Sequence, residues 1–211
     1  MWVQPHELVR FGDRYRFAER AVRPGQTVTL TALPGPPLRL ASGQLALADP
    51  WWPEGAVDAP SAELGTGEQP VTLSTVGLRR TGVPTPVTVA CAASIGHLER
   101  AATWRPLVHD EAHFHLQVDS GLGAFHDITD AATLLSSFRD DQHMKTVFDR
   151  TLAEKAISLA VGDRVAAVVF ECPDGPGLYP VHAGADDNGR TVAVLVDLLI
   201  LRDAERREPA G

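Results

Sequence analysis

The chain alternates apolar and polar residues over several short segments and is almost wholly apolar over others. Both patterns are typical of β-strands, half-buried in the first case and fully buried in the second. The segments 70–78 and 87–94 are expected to form a hairpin across a turn. Asn188-Gly189 is a typical hairpin turn that follows a short strand expected after the DGPG turn. The last two clear strands, which a short connection joins, are expected to pair antiparallel as well. The predicted strands are 26–33, 70–78, 87–94, 113–119, 165–172 and 191–201.

Helical periodicity is confined to the middle of the chain. One helix is predicted at about 131–139, with Thr129 or Asp130 as its N-cap, and a second near 143–156. Strands on both sides of one helical region predict a single α+β domain, with a mostly antiparallel sheet and two helices inserted near 130–157. The second helix is expected to bury one stripe, formed by Met144, Val147, Phe148, Leu152 and Ala156.

The composition is that of an acidic globular protein. The 211 residues include 27 acidic and 19 basic side chains, and the net charge of −8 disfavours nucleic acid or an anionic membrane as the main partner. The N-terminal segment lacks the apolar core of a signal peptide, and no apolar run is long enough to span a bilayer, so we expect a cytoplasmic protein. Cys91 and Cys172 lie beside apolar strands and are predicted to be buried, unreactive thiols.

Two segments lack any periodicity. Residues 54–69 are rich in Gly, Ala, Pro and acidic residues and predict a long loop, and residues 203–211 predict a polar tail. Trp51 and Trp52 follow the rigid Asp49-Pro50 pair. One of these rings is expected to close the edge of the core, and the other is a candidate to line a pocket.

The candidate site is formed by two stretches rich in glycine and carboxylates, 117–130 and 174–187, which we expect to meet. In the first stretch, Asp119 ends a strand and Asp127 follows a glycine turn. Two such carboxylates can converge on a magnesium, calcium or manganese ion, or one of them can act as a general base. The alternative is turn chemistry, in which aspartates accept hydrogen bonds from backbone NH groups.

Neighbouring residues are candidates to contact the ligand. Gly121 and Gly123 allow close approach of the backbone, and His126 follows them. His113 and His115 share a strand face with the first aspartate, so they can add imidazole ligands for a transition metal. A solvent-facing strand that carries histidines explains the same pattern.

The second stretch contributes Asp174, Tyr179 and Asp186. Tyr179 is a candidate to donate a proton or to orient a substrate oxygen. The alternative is a tyrosine that packs its ring and bonds its hydroxyl locally. The DGPG turn is not a P-loop, because no Lys-Ser or Lys-Thr pair follows it.

Three motifs occur in a fixed order. They are SG-x-x-x-x-x-DP at 42–50, V-D-x-G-x-G-x-F-x-D at 118–127, and a D-G-x-Y segment with a G-x-D turn, present with an insertion at 174–186. In this order they resemble the bacterial family catalogued as domain of unknown function 4241, over residues 42–197. The tryptophan of that family's G-W-G-D-G-x-Y segment is missing here. The resemblance implies no known activity.

The sequence therefore predicts a pocket for a small polar molecule. The corresponding activity is that of a metal-dependent hydrolase or lyase that uses Asp119 and Asp127, assisted by Tyr179. The alternative is a non-catalytic interaction protein that binds a basic protein partner. The acidic balance and the 54–69 loop favour this alternative.

Overall fold

The computed structural model describes residues 3–18, 24–51, 61–79, 84–137, 141–161 and 163–207. The helices are α1 (Ala131–Ser137) and α2 (Asp141–Glu154). The strands are β1 (Arg14–Phe17), β2 (Thr27–Thr29), β3 (Thr31–Pro34), β4 (Leu38–Leu40), β5 (Gln44–Ala48), β6 (Ser61–Glu63), β7 (Gly67–Gln69), β8 (Val71–Leu78), β9 (Val87–Gly96), β10 (Thr103–Pro106), β11 (Val108–His109), β12 (Ala112–His113), β13 (His115–Val118), β14 (Leu122–Asp127), β15 (Ala156–Val161), β16 (Arg164–Glu171), β17 (Gly177–Ala185), β18 (Thr191–Asp197) and β19 (Ala204–Arg207).

Two antiparallel sheets form the body of the protein. The larger has seven strands in the order β10-β17-β18-β9-β8-β3, with β13 also paired to β17, and the smaller has the order β15-β16-β14-β5-β6. Smaller pairings are β19-β1-β2, β4-β7 and β11-β12. The hairpins expected at 70–94 and around Asn188-Gly189 are confirmed, β8 with β9 and β17 with β18. The strand at 165–172 (β16) pairs with β14 and β15, not with the strand at 191–201 (β18). The expectation of an α+β fold with mostly antiparallel strands is confirmed.

The five-stranded sheet is the middle of three layers. Phe125 and Phe170 pack together with ring centroids 4.8 Å apart, and they share a buried cluster with Val196 of the seven-stranded sheet. Residues of opposite parity, such as Val169, form a second cluster with Val147 of α2. This alternation buries both faces of the middle sheet, as predicted for the strand at 165–172.

The helices occur where they were predicted, but the apolar stripe of α2 is shorter. Met144 and Val147 are buried, whereas Leu152 is 39% exposed. Ala156 does not belong to the helix: Lys155 has a φ of 71°, which ends α2, and Ala156 begins β15. Among the described residues, neither helix has the length and apolar character needed to cross a lipid bilayer.

Several predicted strands are divided. The strand expected at 26–33 is broken at Leu30 because β2 pairs with β1 whereas β3 pairs with β8. The strand expected at 113–119 is similarly divided at Phe114. Of the loop expected at 54–69, residues 54–60 lie outside the described part, and β6 and β7 occupy much of the rest.

The expected polar tail at 203–211 is in part a strand. Its residues Ala204–Arg207 form β19 and pair with β1 near the start of the chain. Ala204 joins the same buried cluster as Leu8. Chain segments from near both ends therefore contribute to the main core.

Candidate functional site

The carboxylate of Asp49 organises the turn that contains Asp119. Its Oδ2 accepts hydrogen bonds from the backbone NH groups of Asp119 (2.6 Å) and Ser120 (2.7 Å). Its Oδ1 accepts from the Ser120 hydroxyl (2.7 Å) and from the backbone NH of Trp51 (2.8 Å). Asp49 is itself buried, at the end of the sequence QLALADP. One buried side chain thus fixes two loops that are distant in sequence.

An open pocket of about 390 Å³ lies above this turn. It is lined by Trp51, Asp119, Ser120 and Phe148. The rings of Trp51 and Phe148 meet edge to face, with centroids 6.5 Å apart. Trp51 is 42% exposed, and Asp119 is exposed as well. The Asp119 carboxylate accepts a long hydrogen bond from the Gln117 side chain (3.4 Å). The pocket therefore presents two aromatic rings and an accessible carboxylate.

Asp127 is in a different environment. It is fully buried, and its carboxylate accepts four hydrogen bonds, two from Ser42 and two from Thr129. The bond from the Thr129 NH caps the short 3-10 turn that leads into α1. Burial alone would raise the pKa of Asp127, but the hydrogen bonds from Thr129 and Ser42 outweigh it and hold the pKa below its ordinary value. These contacts match the turn-chemistry alternative.

His126 and Asp130 lie beside Asp127 beneath the helical layer. His126 is buried and its Nδ1 lies 2.9 Å from the Asp127 carbonyl, to which it donates. Burial lowers the pKa of His126, so the ring is neutral near pH 7. Asp130 is buried and forms an ion pair with Arg164. His126 therefore lies within the fold, and ligand contact, its predicted role, stays a prediction.

The two glycine turns meet, as the sequence predicted. The backbone NH of Cys172 donates to the Gly121 carbonyl (2.9 Å), and a Cβ at Gly121 would lie 3.7 Å from the Cα of Gly175. Gly121 has a φ of +83°, which favours glycine. Gly123 serves packing instead, because a Cβ there would lie 2.5 Å from the Phe170 ring.

Asp174 and Tyr179 follow this contact but differ in exposure. Asp174 is exposed, whereas Tyr179 is buried and its hydroxyl donates to the Gly175 carbonyl (2.7 Å). Burial, with the nearby Cys172 and Asp174, raises the pKa of Tyr179. A buried phenol bonded locally fits the packing alternative for this tyrosine.

Asp186 is separated from these residues by the length of β17. That strand runs from Gly177 beside the glycine turns to Ala185, roughly 26 Å at the usual rise per residue. Asp186 accepts from the backbone NH groups of Asn188 (2.9 Å) and Arg190 (3.0 Å) and so stabilises the hairpin turn. The structure does not bring Asp186 together with Asp119.

His113 and His115 are exposed and lie near a third histidine, His182. His115 and His182 lie on the same face of the β13–β17 ladder, since His115 is opposite Pro180. Burial, followed by the proximity of His115 and His113, lowers the pKa of His182 to about 4. Across the described ranges, however, no three His, Cys, Asp or Glu side chains are arranged to hold a metal ion. Metal binding at Asp119, Asp127, His113 or His115 stays a prediction, which metal analysis of the purified protein can test.

Sequence reasoning did not assign a site role to Asp49 or Phe148. The signal for Asp49 was its place in the SG-x-x-x-x-x-DP motif, and Phe148 was on the stripe expected to be buried by α2. Trp51 was a candidate for lining a pocket, and the structure places it there. The position of Trp52 lies outside the described residues.

The chain belongs to the family described as Protein of unknown function (DUF4241), whose model matches residues 38–196. The resemblance expected from the three motifs is thereby confirmed. No curated protein and no solved structure matches the chain. The contacts above relate the motifs physically: Ser42 bonds to Asp127, and Asp49 bonds to Ser120.

Proposed function

We propose that this member of the DUF4241 family is a binding protein that holds an organic cation in the pocket of Trp51, Phe148 and Asp119. The observation that carries the proposal is an exposed carboxylate beside two aromatic rings in one open pocket of about 390 Å³. The cation is an alkylammonium or guanidinium group, supplied by a small amine or by a basic side chain of a protein partner.

The chemistry of the pocket suits such a group. A cation against the face of an aromatic ring gains about 0.5–1 kcal/mol at an exposed site, and more when it is desolvated. The apolar stem of a lysine-like or arginine-like group can lie along the rings while the charged head reaches Asp119. Anions and neutral polar molecules gain less from this combination.

The pocket is held in its shape before a ligand enters. Asp49 fixes the backbone of Trp51, Asp119 and Ser120 through hydrogen bonds of 2.6 to 2.8 Å. Less conformational entropy is then lost on binding, which favours affinity. The net charge of −8 also attracts cationic ligands over a distance.

The test is a titration with butylammonium and butylguanidinium, with 1-butanol as the uncharged control, followed by two-dimensional amide NMR. We expect saturable shifts at residues of the pocket for the two cations, and much weaker shifts for the alcohol. Asp119→Asn should weaken cation binding about tenfold, and Trp51→Leu by a similar factor.

Asp174→Asn is the matched control, because Asp174 is an exposed aspartate on the adjacent turn that does not line this pocket. It should leave cation binding unchanged. Equal binding of the alcohol and the cations, or equal weakening by the two asparagine variants, would contradict the proposal. Arginine-containing peptides in the same assay then show whether a peptide ligand binds more tightly than the free amine.

A further inference from the structure

A second pocket lies at the opposite end of β17, among residues that the cation pocket does not use. Its volume is about 610 Å³, within the range of small-ligand sites. Its walls come from the turn after β6, the turn after β9 and the β17–β18 hairpin. The polar residues that line it are Glu63, His97, Arg100, Arg190 and Thr191.

The two arginines project from backbone that is fixed by hydrogen bonds. The NH of Arg190 donates to the Asp186 carboxylate, and its carbonyl accepts from the Asp186 NH (2.9 Å). The NH of Arg100 donates to the His97 carbonyl (3.1 Å), and the NH of His97 donates to the Val192 carbonyl (2.8 Å). These hydrogen bonds connect the walls of the pocket and fix the backbone positions from which the two arginine side chains extend.

The charges of both guanidinium groups are incompletely neutralised. Within the described part of the chain, Arg190 forms no ion pair of 4.0 Å or less, and the only such contact of Arg100 is with Asp186 at 3.9 Å. The Arg100 side chain is 55% exposed. Guanidinium groups bind carboxylates and phosphates through paired hydrogen bonds, so two of them in one pocket favour an anion.

Nearby carboxylates limit the strength of this site. Asp186 lies 3.9 Å from Arg100, and its pKa is lowered first by the hydrogen bond from the Arg190 NH and then by the charges of Arg190 and Arg100. Glu63 lines the pocket directly. His97 is paired with Glu99 at 3.2 Å. The anion must therefore compete with Asp186 in particular.

We propose that the pocket lined by Arg100 and Arg190 binds a small anionic ligand through a phosphate or carboxylate group. When the ligand is absent, the Asp186 carboxylate partly neutralises the charge of these two arginines. This inference is independent of the cation pocket, since the two sites share no residue. The acidic protein then has one local site that prefers anions.

The test uses inorganic phosphate and succinate as probes on the full chain, by calorimetry and thermal shift at constant ionic strength set with chloride. We expect saturable binding of at least one of them. Arg190→Gln should weaken it about fivefold or more, and Arg100→Gln should do the same. Comparison of the two anions shows which group the site prefers.

Asp186→Asn tests whether the Asp186 charge competes with the anion. The asparagine oxygen can still accept from the turn NH groups, but the competing charge is gone, so anion binding should tighten severalfold. Arg39→Gln, at an exposed arginine of β4 outside the pocket, should leave binding unchanged. Failure of both anions to bind, equal loss in Arg39→Gln and Arg190→Gln, or weaker binding in Asp186→Asn would each overturn the proposal.

Discussion

Asp119 and Asp127 belong to one short motif, yet the structure gives them opposite environments. Asp119 is exposed at the start of a turn and is one of the residues that line an aromatic pocket. Asp127 is fully buried, and its carboxylate accepts four hydrogen bonds. The charge of Asp119 is available to a ligand, whereas the charge of Asp127 is stabilised by hydrogen bonds within the fold.

The difference shows that the number of donors, rather than burial alone, decides how a carboxylate behaves. Asp197 provides the third case. It is partly buried, accepts one hydrogen bond from the Leu199 NH (2.8 Å), and burial raises its pKa from 3.8 to about 6. Asp127 has more donors, and its pKa falls below the ordinary value.

The largest effect is expected for Asp127→Ala. The change leaves donors of Ser42 and Thr129 without their acceptor and removes the cap before α1, so the free energy of unfolding should fall by about 3 kcal/mol. Urea denaturation measures this value. Because the pKa of Asp127 is depressed in the folded state, its contribution is present above pH 3.8 and is lost as pH falls through the folded pKa. A loss below 1 kcal/mol would show that Asp127 is not the structural member of the pair.

Asp49→Ala should have the next largest effect. Water can replace some of the lost acceptors at the Asp119 turn, so we expect a destabilisation of about 2 kcal/mol. The pocket floor should loosen at the same time, and butylammonium binding should weaken even though Asp49 does not line the pocket. Destabilisation with unchanged cation affinity would show that the Asp119 turn does not maintain the shape of the pocket.

Asp197→Asn should stabilise the protein at neutral pH. The folded state binds the proton more tightly than the unfolded state does, so the wild type loses stability as pH rises from 3.8 through about 6. Asparagine stays neutral and can still accept from the Leu199 NH. The variant should therefore nearly match the wild type near pH 4 and exceed it by about 3 kcal/mol at pH 7. Parallel stability curves for the two proteins between pH 4 and 7 would refute the raised pKa.

Asp119→Asn should have the smallest effect on stability. The side chain is exposed and its backbone NH, not its carboxylate, makes the contact to Asp49. The free energy of unfolding should change by less than about 0.5 kcal/mol, while cation binding weakens. A substantial loss of stability would make Asp119 a structural residue like Asp127.

The local chemistry of the chain determined much of the fold. Alternating apolar residues predicted the hairpin of β8 and β9, and the Asn188-Gly189 turn predicted the pairing of β17 with β18. The glycines also predicted the meeting of two turns at Gly121 and Gly175. These features depend on period and turn geometry, which neighbouring residues specify.

Only the tertiary structure decided which aspartate serves the fold and which faces a pocket. Asp127 accepts two of its four hydrogen bonds from Ser42, which is distant in sequence, and Asp49 reaches Asp119 across a comparable separation. Asp186 looked like a member of the same cluster, but the extended length of β17 carries it to the other end of the sheet. Burial and donor count arise from long-range packing, so residue type and spacing alone do not determine them.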